Sequence, residues 1–180
     1  MKITQIKTGL LSVPLRTPFK TALRTVTHVN DVIVEVHTDT GHVGYGEAPS
    51  TGVITGDTRG SVRGAIEEHI RPAVLGREVD EFEDLMRCLN SCIVGNKSAK
   101  AAVDMALWDL YGQLHRIPVY KLLGGSRKQI FTDLTISVND PAQMAEDAEQ
   151  AVKRGYDCLK IKVGVNLSLI HISEPTRPIS

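Results

Sequence analysis

The stretch Leu159-Lys160-Ile161-Lys162-Val163-Gly164 restricts the architecture of this chain more than any other. Apolar and cationic residues alternate along it with the period of a β-strand, so Leu159, Ile161 and Val163 face one way and Lys160 and Lys162 the other. A strand-like run at Thr132 to Val138 and a helical pattern at Pro141 to Arg154 precede it, which makes it the second strand of a parallel βαβ unit. On an ordinary half-buried strand the lysine face is simply wet. In a parallel sheet, both faces are normally covered, and lysines pointing into such an interior need a reason to be there. If the sheet closes as a (β/α) barrel, residues near the C-terminal ends of its strands sit where such enzymes keep their chemistry. Two neighbouring ammonium groups disfavour each other's charge, the direction that prepares one of them to accept a proton near neutral pH. That is the profile of a carbon-acid base.

Charge and cysteine content exclude several other classes. Lysine plus arginine equals aspartate plus glutamate at 21 each, so no net basic field is available to collect nucleic acid or an anionic membrane surface. The N-terminus Met1-Lys2-Ile3-Thr4-Gln5-Ile6-Lys7 lacks the apolar core of a signal peptide, and no apolar run approaches the roughly 18 residues of a membrane span. A cytoplasmic protein is expected. Three cysteines without a secretory signal argue against a disulfide framework. Cys88 and Cys92 lie four apart on an expected helix, but no second pair completes a zinc set, so they read as small buried hydrophobes.

Taken in order, the chain opens with strands. Ile3 to Val13 reads as a strand that stops at Pro14, Thr17 to Thr25 as a polar loop, and Val32 to Val36 and Val43 to Pro49 as two more strands around a turn at Thr38 to Gly41. An antiparallel meander results. Ser50 to Gly60 is a loop, and Ser61 is the expected N-cap of a helix carrying Val62, Ala65, Ile66, Ile70 and Ala73 on one face, with Pro72 bending or ending it. His69 falls on or near that face and reads as a packed histidine. Phe82, Leu85, Met86, Leu89 and Ile93 form a second apolar stripe, and the alanine-rich run from Ser98 to Leu114 a third helix suited to close packing. Gly124-Gly125 stops a short segment, and the pattern then switches to strand, helix, strand, which suggests a boundary near residue 125.

These residues carry a resemblance. The meander with helices, the Gly-Gly hinge and the Lys-x-Lys strand resemble the enolase superfamily in its muconate-lactonizing and mandelate-racemase-like branch, most closely the L-Ala-D/L-Glu dipeptide epimerases. The matching words are Pro18-Phe19-Lys20-Thr21-Ala22-Leu23-Arg24-Thr25, Gly46-Glu47-Ala48-Pro49, Ile54-Thr55-Gly56-Asp57, Ser98-Ala99-Lys100-Ala101-Ala102, Thr135-Ile136-Ser137-Val138-Asn139 and the Lys-x-Lys strand. The resemblance implies an α+β capping domain over residues 1–125 and the first strand-helix-strand of a truncated (β/α) barrel over 126–164. It implies a Mg²⁺-dependent isomerase that abstracts the α-proton of a dipeptide with an acidic residue, stabilises the enediolate, and admits a homo-oligomer at full length.

Roles follow by resemblance, residue by residue. Lys162 becomes the base, with Lys160 beside it hydrogen-bonding the carboxylate. Arg24 grips the glutamate side-chain carboxylate, a task suited to a bidentate guanidinium, and Thr135 lines the pocket. Without the resemblance, Arg24 reads as a solvated loop arginine and Thr135 as a β-branched strand residue. Glu47 is expected to be a structural carboxylate between loop and sheet, and His28 is either a pocket residue or exposed.

The chain departs from the family after Lys162. The acidic metal ligands and the opposing lysine are expected in a C-terminal part that is not present, so this chain itself is expected to be inactive. Only Glu174 follows, and Leu167 to Pro178 resembles a translated sequencing-adapter read, so 165–180 is read as a non-native tail and His171 as no ligand. A muconate-type cycloisomerase, or an N-acyl-amino-acid racemase or o-succinylbenzoate synthase of the same branch, is the alternative enzyme. A non-catalytic capping-domain binding module is the alternative of another class.

Overall fold

The computed structural model describes residues 1–21, 24–126 and 129–163; the tail expected at 165–180, with His171 and Glu174, lies outside them. The described residues fall into two compact units, one of 1–13 with 29–126 and one of the described residues of 14–28 with 129–163.

The strands β1 (Ile3–Lys20), β2 (Thr25–Thr38) and β3 (Val43–Pro49) form a sheet in the order β1-β2-β3, of which residues 3–13, 29–38 and β3 belong to the first unit. The expected meander is present. The first strand, however, does not stop at Pro14 and continues through Pro18 to Lys20, and Thr25 already belongs to the second, so much of the expected polar loop is strand. Proline removes one ladder donor, and β1 is an edge strand, where a missing donor is tolerated. In the antiparallel β2/β3 register Val32, Val34 and Val36 face Ala48, Gly46 and Gly44, which sets three buried valines opposite three small residues.

That small-residue strip decides the packing of α4 (Lys97–His115). A Cβ on Gly44 would strike the Ala106 carbonyl, and one on Gly46 the Ala102 carbonyl, so the helix backbone lies directly on β3. Ala99, Ala102, Val103, Ala106, Leu107 and Leu110 are buried there. Polar side chains of α4 complete the hydrogen bonding of β3: Gln113 Nε2 donates to the Val43 carbonyl at 2.9 Å, and the Tyr45 amide donates to Asp109 at 3.1 Å.

Following β3 in sequence comes an interrupted helix: α1 (Arg59–Ala65), a wider π turn (Ile66–Ile70) and α2 (Arg71–Val74). Its N-cap is Thr58 rather than Ser61. Thr58 Oγ1 accepts from the Ser61 amide at 3.1 Å while the Thr58 amide donates to Ser61 Oγ at 2.9 Å, a capping box with serine as the reciprocal partner. Pro72 does not end the helix. It cannot donate to a carbonyl one turn back and its ring crowds that carbonyl, and the π turn lies just before it. The changed register turns His69 out to solvent, so the packed histidine expected there is exposed.

The stripe on α3 (Phe82–Ser91) buries Leu85 and Leu89, with Phe82, Met86 and Ile93 packed at its margin. Phe82 stacks on Tyr111 at 4.2 Å and meets Trp108 edge-on at 4.5 Å. Lys100 Nζ caps the carbonyl end of α3, donating to Asn90 O at 2.6 Å and Ile93 O at 2.5 Å. Cys88 and Cys92 are half-buried free thiols, and burial pushes the Cys92 thiol above its ordinary range. A short helix, α5 (Val119–Leu122), ends at Gly124, whose φ of 81° suits a residue without a Cβ.

The second unit holds β4 (Leu134–Ile136), α6 (Pro141–Lys153) and β5 (Leu159–Ile161), the expected strand-helix-strand with shorter strands. Asp140 caps α6, accepting from the Gln143 amide at 3.1 Å. The strands pair in parallel, and Ile136, Met144 and Ala151 form a small core with Leu134, Ala148, Tyr156 and Leu159 at its edge. The apolar face expected of β5 is only partly covered: Ile161 is 48% and Val163 39% exposed. Helix α6 packs over β4.

Candidate functional site

Parallel pairing aligns Leu134 with Leu159, Thr135 with Lys160 and Ile136 with Ile161. Thr135 and Lys160 therefore share the sheet face opposite the small core, and the two-residue period returns Lys162 to that same face. The ladder extends one step past β5, where the Lys162 amide donates to the Ile136 carbonyl at 3.3 Å. Lys162 is half-buried, and its Nζ lies 4.2 Å from the centroid of the Phe19 ring, within reach of a cation–π contact. Lys160 is exposed.

Phe19 belongs to the end of β1, which is fastened to the residues following β4. The Lys20 amide donates to Ser137 Oγ at 3.4 Å, the Val138 amide donates to the Lys20 carbonyl at 3.3 Å, and Lys20 Nζ reaches Asn139 Oδ1 at 3.5 Å. Along this junction runs a groove of about 590 Å³, whose walls include Phe19, Lys20, Thr135, Ser137, Asn139 and Asp147. It offers an ammonium group, hydroxyls and an amide, a donor set suited to an anionic or amide-bearing small molecule.

Of the four residues singled out in the sequence, Thr135 alone lines the groove; Lys162 Nζ rests against the Phe19 ring and Lys160 stands opposite Thr135, neither lysine being part of the lining. Arg24, just before β2, is exposed. There the Thr21 amide donates to the Arg24 carbonyl at 2.9 Å and the Arg24 amide donates to Thr21 Oγ1 at 3.1 Å. The structure thus gathers Thr135 and the two lysines on one sheet face, and leaves both lysines and the Arg24 side chain outside the groove lining. Glu47 is exposed, and among the described residues its side chain has no hydrogen bond or ion pair, so the structural tie expected of its carboxylate is not made. His28 is also exposed, its Nδ1 3.1 Å from Thr27 Oγ1. Phe19, Lys20 and Asn139 were not singled out as site residues, although all lie inside the conspicuous Pro18 to Thr25 and Thr135 to Asn139 words.

Residues 4–124 match the family described as the N-terminal domain of mandelate racemase / muconate lactonizing enzyme. The chain belongs to this family. Among curated relatives of the mandelate racemase / muconate lactonizing group, the L-Ala-D/L-Glu epimerase of Clostridium acetobutylicum is 56% identical over 169 residues, covering 94% of this chain and 47% of that protein. Among solved structures, the substrate-liganded complex of the L-Ala-D/L-Glu epimerase from Bacillus subtilis superposes with a TM-score of 0.89 at 49% identity, over 92% of this chain and 46% of that one. The Enterococcus faecalis V583 dipeptide epimerase complexed with Mg and dipeptide L-Leu-L-Tyr gives 0.87 at 37% identity, over 93% and 47%. This chain spans about half the length of the relatives it matches.

The magnesium of the Enterococcus complex raises the question of ligands here. Among the described residues no group of three or more His, Cys, Asp or Glu side chains is arranged to hold a metal ion, so these residues do not fit a magnesium centre. No described helix is long and apolar enough to cross a membrane.

Proposed function

We propose that the whole protein is a dipeptide epimerase of the L-Ala-D/L-Glu type, and that residues 1–125 form its capping domain and those from 126 the opening strands of a (β/α) barrel. The reading is carried by the 56% identity to the clostridial epimerase, and the grouping of Thr135, Lys160 and Lys162 on one sheet face supports it.

In this reading Lys162 Nζ takes the α-proton of the C-terminal residue of the dipeptide. The C–H bond pair is delocalised into the adjacent carboxylate as an enediolate, and Lys160 donates to a carboxylate oxygen where negative charge grows. A donor on the opposite face, outside the described residues, returns a proton and inverts the centre. The Thr135 hydroxyl holds the substrate against the strand end. Arg24 receives the side-chain carboxylate from its place just before β2, which requires its side chain to swing toward the groove once substrate arrives. The described residues do not form a magnesium ligand set; in the whole protein the metal would be held by residues outside them and would supply charge stabilisation to the enediolate.

Replacing Arg24 by methionine in the whole protein tests the substrate class. Loss of a charge-assisted bidentate contact lowers kcat/KM for Ala-Glu by about ten- to a hundredfold and leaves a dipeptide with an apolar second residue little affected. Unchanged Ala-Glu turnover would remove Arg24 from the site.

A further inference from the structure

We propose that Phe19 is a positioning residue for Lys162: the face of this groove-lining ring holds the lysine head so that Nζ meets the substrate from one fixed direction. The proposal rests on Lys162 acting as the base.

A lysine stem has four carbons and, unrestrained, wanders through many rotamers, whereas a proton acceptor must stand within hydrogen-bond reach of a single C–H bond. Here both ends of Lys162 are restrained. Its backbone is tied to β4 through the Ile136 carbonyl at 3.3 Å, and its Nζ lies 4.2 Å from the Phe19 ring centroid. The ring in turn has a fixed seat, because its neighbour Lys20 is hydrogen-bonded to Ser137 Oγ at 3.4 Å and to the Val138 amide at 3.3 Å. Ile136, Ser137 and Val138 are consecutive. One strand end therefore anchors the base and the surface it rests on, and the contact closes a circuit through three neighbouring residues. Nothing apolar is required at position 19 for the hairpin itself, since its junction with β4 uses the backbone of Lys20 and the side chains of Lys20, Ser137 and Asn139.

The test has two readouts. In the 180-residue chain, proton NMR detects the ring directly: the ε-methylene protons of Lys162 are shifted upfield, the shift survives in Phe19→Tyr, and it disappears in Phe19→Leu while the amide spectrum is unchanged. In the whole protein with Mg²⁺ and Ala-Glu in D₂O, α-proton exchange is followed separately from each glutamyl enantiomer. Phe19→Leu slows exchange about tenfold from the enantiomer served by Lys162, spares the other, and Phe19→Tyr restores it. An ε-methylene resonance at its ordinary position in the parent chain overturns the contact. Equal slowing from both enantiomers, or none, overturns the positioning role, since a purely structural residue does not distinguish substrate faces. Absence of exchange in the unaltered protein overturns the epimerase reading and with it the purpose of the contact, while the upfield shift still reports the contact itself.

Discussion

Thr135 and Lys160 stand directly opposite each other across the parallel pair, so a hydroxyl and an ammonium converge on one face at the strand end. The Thr135 side chain lines the groove, and Lys160 is exposed beside it. Thr135→Val keeps the β-branched shape that the strand favours and removes only the hydroxyl. In the whole protein the variant raises KM for Ala-Glu about fivefold, the worth of one hydrogen bond, with kcat and thermal stability nearly unchanged. Steady-state kinetics decide this, and a parent-like KM would place Thr135 outside the substrate contact.

The close approach of α4 to β3 sets a second expectation. At Gly46 an added Cβ runs into the backbone carbonyl of Ala102, and backbone cannot move aside as a side-chain tip can. Gly46→Ala therefore destabilises the chain by about 3 kcal/mol, near the upper end of overpacking penalties. Urea denaturation measures it; Gly9→Ala, where nothing lies near the new methyl, serves as the comparison.

The capping box at α1 gives a smaller effect. Thr58→Ala deletes the oxygen that accepts from the Ser61 amide at 3.1 Å and lowers stability by about 1 kcal/mol. Thr58→Ser retains the oxygen and restores most of it, which thermal melts of the two variants resolve.

Asp104 supplies a pH dependence. It is half-buried on α4, and burial raises its carboxyl above the ordinary aspartate range. At low pH the group is protonated in both folded and unfolded chains and has no influence. As pH rises through the ordinary aspartate range the unfolded chain releases the proton first, so stability falls, and the loss levels off above the raised folded value. Asp104→Asn is consequently more stable than the parent at pH 7, and the advantage vanishes on acidification. Melting temperatures of both proteins across pH 3 to 7, an interval on the order of the aspartate range, check the sign. An advantage that grows toward acid contradicts it.

Those elements whose residues repeat with a clean period were legible in the sequence. The valines of β2, the stripe of α3 and the alanine-rich face of α4 each carry one period, and their burial follows it. What failed depended on partners that a linear reading does not show. Pro14 read as the end of the first strand and Pro18 as part of a loop, yet β1 is an edge strand and tolerates the missing donors. His69 lay on the apolar face of an ideal helix, and a π turn moved it to solvent. The site was legible where one strand carries it, as at Lys160 and Lys162. Phe19 was not, because its relation to Lys162 spans most of the chain and has no local pattern.

The central claim is that Lys162 is the base of a dipeptide epimerase. The whole protein, incubated with L-Ala-L-Glu and Mg²⁺ in D₂O, should yield L-Ala-D-Glu with deuterium at the glutamyl α-carbon, and Lys162→Ala should abolish exchange from one enantiomer. If Lys162→Ala exchanges both enantiomers at the parent rate, or the parent leaves the glutamyl centre untouched, the account is wrong.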